Sequence, residues 1–169
     1  MKALSSLAAF AAGLLPLSAA SASDKCDIAQ IHSARDLHDL LGRRAVEIVN
    51  RAAGASWETD TRLTQLVARS AAFGLGAGDV GRPLGSGVSG ARALAAGMKA
   101  DTFRFLGWDY MDSPADACAE QKIEVEFINT RGKSSSQVEF TYKAGRVVAA
   151  EGWSRSLQSG SVNPVSAPH

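Results

Sequence analysis

The chain has no surplus of charge of either sign. Its 169 residues carry 18 Lys and Arg against 17 Asp and Glu. Losing Lys2 with the leader described below brings the two signs level. A nucleic-acid binder normally shows a basic excess or a basic stripe, so that class is set aside. Acidic and basic residues are interspersed, with no long run of one sign. After the first two dozen residues no segment is apolar enough to cross a membrane, which takes about 20 apolar residues. Cysteine is nearly missing: Cys26 and Cys118 are the only two. Neither forms a tight ligand spacing with His32, His38 or His169, so no metal site is indicated, and no cofactor is implied.

What is present at the start is an export signal. Met1 and Lys2 precede an apolar run from Ala3 to Leu17, interrupted by Ser, Gly and Pro16, and Ala20-Ser21-Ala22 supplies small residues for cleavage. Residues 1–22 read as a signal peptide, too short and too broken for a membrane anchor. The mature chain is then periplasmic or secreted. Cys26 follows Ser23-Asp24-Lys25, where a lipoprotein would have small residues, so lipidation is not expected. A thiol catalyst would need a neighbouring base and a reducing environment. Two cysteines in an oxidising compartment favour one disulfide. Closing so long a loop is worth up to about 4–5 kcal/mol in the chain-entropy picture. Residues 23–158 form one domain of ordinary size, and the Ser- and Pro-rich tail, 159–169, reads as disordered.

Three segments have helical period. The first is capped near Ser33 and carries Leu37, Leu40, Leu41, Ala45, Ile48, Val49 and Ala52 on one stripe, ending at Gly54. The second starts near Ser56 or Thr59 with Leu63, Leu66, Val67 and Ala71. The third runs from about Val88 to Ala100. Between the last two, "GLGAGDVGRPLGSGVSG" (74–90) holds seven glycines and reads as a loop. Its two G-x-G-x-x-G strings lack the preceding strand that a dinucleotide site requires. From Thr102 the pattern alternates, first over "TFRFLGWDY" (102–110). "KIEVEFI" (122–128) and "QVEFTY" (137–142) each put apolar residues on one face, "RVVAAEGWSRS" (146–156) follows, and Gly132 and Gly145 serve the turns. The expectation is an α+β fold: three N-terminal helices packed on the concave face of a four-stranded antiparallel meander.

The stretch "KIEVEFINTRGKSSSQVEFTYKAGRVVAAEGW" resembles the closing strands of the NTF2-like superfamily. That is a cone-shaped α+β fold which includes ketosteroid isomerases and SnoaL-type polyketide cyclases. The resemblance implies a fold and no reaction, since no catalytic constellation of those enzymes can be matched onto this chain. A pocket between helices and sheet is what it implies for a ligand.

Candidate site residues follow from that frame. "GWDYMDSPADAC" (107–118) interleaves Trp108 and Tyr110 with Asp109, Asp112 and Asp116. Trp108, Tyr110, Tyr142 and Trp153 are the ligand-binding candidates. Asp109 and Glu151 are the carboxylates that a general base would draw on. The orientation of Glu151 turns on register: a bulge at Gly145 would exchange the two faces of the last strand. The leading expectation is an exported, non-catalytic module that binds a small apolar ligand or a protein partner, as immunity-type proteins do. A homodimer through the sheet is a further possibility. The alternative is a small isomerase, dehydratase or hydrolase working through a buried carboxylate.

Overall fold

The structure is a computed structural model that describes residues 25–78, 80–106 and 116–157. The leader, the 107–115 part of the aromatic and acidic patch, and the tail lie outside the described residues.

Helix α1, Ala34–Ala53, forms where the stripe predicts. The Ser33 side chain accepts from the Asp36 amide, and the Gly54 amide closes the last turn on the Arg51 carbonyl. Leu37, Leu41, Ala45, Ile48, Val49 and Ala52 are buried. The second helix is a correction. After a 3-10 turn at Trp57–Thr59, helix α2 spans only Thr61–Leu66, and at Val67 the chain becomes strand β1, Val67–Ala77. The glycine-rich segment is a correction too. It contains the end of β1, strand β2 (Pro83–Ser86) and the start of helix α3 (Gly87–Met98). Strands β3 (Thr102–Phe105), β4 (Gln121–Asn129), β5 (Ser134–Lys143) and β6 (Arg146–Ser156) complete the chain.

The sheet therefore has six strands, in the order β2-β1-β6-β5-β4-β3. It is mixed, because β1 runs parallel to β6 while the other neighbours are antiparallel. The physical reason is the edge that a four-stranded meander would leave on β6, a row of unpaired backbone groups. β1 fills that edge. Val67, Ala71 and Phe73, which suit a helical stripe in the sequence, are buried along the strand instead, and tertiary pairing overrides local preference.

One residue sets the faces of β6. Tyr142 pairs with Val147 and Thr141 with Ala149, which leaves Val148 as an extra residue in β6. This bulge lies three residues beyond Gly145, and it exchanges the faces. Val147 is buried; after the bulge Ala150 and Gly152 are buried while Glu151 and Trp153 are exposed. The inner face, covered by helices α1 and α3, carries Ile123, Val125, Phe127, Val138, Phe140 and Tyr142, each at most 2% exposed. The rings of Phe127 and Phe140 meet edge to face at 6.1 Å.

The segment before α1 is held at three points. Cys26 and Cys118 form a disulfide, with their Cα atoms 5.8 Å apart. Ile28 is buried in the core. Arg44 of α1 donates to both carboxylate oxygens of Asp27, at 3.0 and 2.7 Å, and to the Gly145 carbonyl at 2.7 Å. That last contact reaches the β5–β6 turn, where Ala144 and Gly145 both adopt positive φ, as a two-residue type I′ hairpin turn requires. Gly145 is needed twice over, since a Cβ there would overlap the Asp27 carboxylate and the Arg44 guanidinium.

Two outcomes check this arrangement. Phe140→Ala should lower unfolding free energy by about 3–5 kcal/mol in chemical denaturation, the cost of emptying a core aromatic site. Thiol titration of the denatured, unreduced protein should find no free thiol. Reduction should then raise amide exchange in residues 26–31 and 116–118 before the β4–β6 strands lose protection.

Candidate functional site

The outer face of the sheet, away from the helices, is built by strand alternation. On β6 it presents Glu151, Trp153 and Arg155; on β5 Ser135, Gln137 and Glu139; on β4 Glu124 and Glu126; on β3 Arg104. Trp153 is 47% exposed. In register it lies between Gln137 of β5 and Gly76 of β1. Its ring covers the Gly76 backbone so closely that a Cβ on Gly76 would overlap the indole, and Gly81 lies against the ring's far edge. The glycines of the β1–β2 hairpin thus form the bed on which a large aromatic lies.

Beside the indole sits a buried charge cluster. The Glu126 side chain is 4% exposed and is gripped by Arg104 from β3 at 2.6 Å and by Arg155 from β6 at 2.8 Å. Arg155 also donates to the Ser135 hydroxyl at 3.1 Å. Burial pushes the Glu126 pKa up. Hydrogen bonds from Arg155 and Ser135 and the charge of Arg104 more than offset it, so the carboxyl lies below its ordinary value. A general acid or base that works near neutral pH needs the opposite shift. Glu126 is a clamp across three strands.

Next along the face, Glu124, Glu139 and Glu151 stand directly opposite one another on neighbouring strands. Like charges in that position repel. Lys122 bridges to Glu139 at 2.8 Å, and Gln137 donates to Glu124 at 2.9 Å. Trp153 is therefore flanked by acidic Glu151 on one side and by Arg155 on the other.

The sequence-derived candidates do not meet in one pocket. Tyr142 is fully buried and its hydroxyl donates to the Leu41 carbonyl at 2.9 Å, the position of a core side chain. Glu151 and Trp153 share the outer face, two residues apart. Trp108, Asp109 and Tyr110 lie outside the described residues, as does Asp112. Asp116 accepts from the Cys118 amide at 2.8 Å and shapes the turn before β4. His32 is exposed. His38 is buried on α1, and burial lowers its pKa. Among the described residues no group of three or more His, Cys, Asp or Glu is arranged to hold a metal ion. Glu126, Arg104 and Arg155 escaped the sequence reading. Glu126 and Arg104 share outward parity in their own strands, and Arg155 joins them only once the β6 bulge is known.

No protein-family model and no curated protein matches the chain. Solved structures similar to it include a de novo designed NTF2 fold protein, at 11% identity over 73% of this chain and 88% of that one, with a TM-score of 0.39. A phenazine biosynthesis-related protein from Pseudomonas aeruginosa aligns over 82% of this chain and 94% of its own, at 12% identity and a TM-score of 0.38. An isomerase candidate from Rhodopseudomonas palustris aligns over 68% and 88%, at 8% identity and a TM-score of 0.42. The likeness concerns the fold alone, and no residue role carries over from it.

Glu126→Gln tests the clamp. Because the folded pKa is depressed, the stabilisation by Glu126 is complete above its unfolded value near 4.5 and is lost as pH falls through the folded pKa. At pH 7 the variant should be less stable by about 1–3 kcal/mol, the worth of hydrogen bonds to a charged group. Its unfolding free energy should fall less steeply below pH 4.5 than that of the parent. Parallel pH profiles would remove the clamp.

Proposed function

We propose that this chain is an exported, non-catalytic interaction module that offers the outer face of its sheet, centred on Trp153, to a protein partner. The observation that carries the reading is the exposed indole laid on glycine backbone. A large aromatic held in one orientation and half in water is pre-organised for docking, and Trp is among the residues that dominate interface energetics. The acidic row Glu124, Glu139 and Glu151 next to it favours a partner with an apolar socket and a basic rim. What supports export is the leader at 1–22, the Cys26–Cys118 disulfide, and the lack, among the described residues, of any helix long and apolar enough to cross a membrane. Catalysis through a buried carboxylate is the weaker reading. Among the described residues Glu126 is the one buried carboxylate, and its two arginines hold it ionised.

Trp153→Ala is the test. The parent protein, used as bait in extract from its own cell envelope, should retain a partner that the variant loses. Once that partner is purified, its affinity should fall by roughly 30-fold or more, the effect of removing an interface anchor worth about 2 kcal/mol. Light scattering on the parent alone tells a foreign partner from a second copy. Equal capture by parent and variant, with the same mass in solution, would sink the reading.

A further inference from the structure

At the opposite end of the molecule from the Trp153 rim, an open groove of about 1730 Å³ runs between α2, the start of β1, the start of α3 and the β5–β6 turn. Six of its lining residues are cationic (Lys25, Arg44, Arg62, Arg69, Lys143 and Arg146), and Asp27 is the only carboxylate among them. The carboxylate does not offset that excess. Asp27 is spent on Arg44, and Arg62 is answered by Glu47 from outside the groove, at 3.3 Å. Arg146 donates only to backbone carbonyls, those of Thr64 and Val67. Among the described residues Lys25, Arg69, Lys143 and Arg146 have no acidic partner, so four positive charges share one concavity. The chain as a whole is close to neutral, so the excess in this groove is local.

The Nε–H groups of Arg44 and Arg146, both in the lining, are buried without an acceptor. The rest of the lining mixes hydroxyl and amide side chains with small residues and the aliphatic Leu66, Val67, Val88 and Val148. It includes the hydroxyls of Thr61, Ser70 and Ser86 and holds no aromatic residue. A single-stranded nucleic-acid channel combines basic residues with aromatic platforms for the bases, and this groove has none.

We propose that the groove binds an acidic polysaccharide. Lys25, Arg69, Lys143 and Arg146 would meet carboxylate or sulfate groups spaced along the glycan, and the lining hydroxyls would hydrogen-bond to its sugar hydroxyls. The site is separate from the Trp153 face and does not depend on that reading.

The test is calorimetric titration of the full chain with heparin oligosaccharides (sulfated), oligogalacturonate (carboxylated), a neutral glucan of similar length and single-stranded DNA. Arg69→Gln combined with Lys143→Gln is the variant of choice, since neither side chain makes a hydrogen bond or ion pair within the described residues and the fold should survive. Expected are binding of one or both acidic glycans, weakening with salt, a loss of at least tenfold in affinity in the double variant, and no change in Trp153→Ala. Preference for the sulfated or the carboxylated glycan identifies the anion. The proposal fails if neither acidic glycan binds, if the neutral glucan binds as well, if the double variant binds unchanged, or if DNA binds more tightly than either glycan.

Discussion

Arg44 is the residue on which the assembly turns. Its side chain is 9% exposed and comes from the middle of α1. It reaches the N-terminal segment through Asp27 and the last hairpin through the Gly145 carbonyl, 101 residues away in sequence. A buried guanidinium left without partners is strongly destabilising, so three elements must arrive together to satisfy it. The Ala144-Gly145 turn is compatible with that demand because its second residue has no side chain to obstruct the contact. The disulfide and Ile28 then hold the same segment from either side of Asp27. The order of residues 26–28 thus depends on a contact with the turn that precedes β6.

The long α1 helix and the β4–β5–β6 hairpins were legible in the sequence, because cap, stripe, alternation and turn glycines all agree there. The Cys26–Cys118 pairing was legible from the count of cysteines and the leader. β1 and β2 were not. Val67 and Ala71 continue the helical stripe of Leu63 and Leu66 and equally share one face of a strand, and only the free edge of β6 decides between the two. Glycine density was the second obstacle. In this hairpin glycine marks places where another group comes close, such as Gly76 under Trp153, rather than a lack of structure.

The outer face was illegible for a different reason. Alternation from Val147 puts Glu151 and Trp153 with the core, and one bulged residue, Val148, reverses that assignment. Sequence period fixes relative parity within a strand, and a bulge resets it without leaving a compositional mark. Tyr142, a ligand-binding candidate by sequence, finds its hydroxyl partner on the α1 backbone. A buried tyrosine is satisfied as readily by a helix carbonyl as by a ligand.

The strand order has a bearing on how such a chain is delivered. β6 is the last strand in sequence, yet it lies inside the sheet, between β1 and β5. A chain that emerges N-terminus first therefore exposes β1 with nothing to pair against on that side until its final strand has appeared. The sheet cannot close early on a partial chain, and parallel pairing across so large a separation is slow to form. Folding of the whole sheet is thus postponed until β6 is available, whether a chain is released from synthesis or threaded across a membrane.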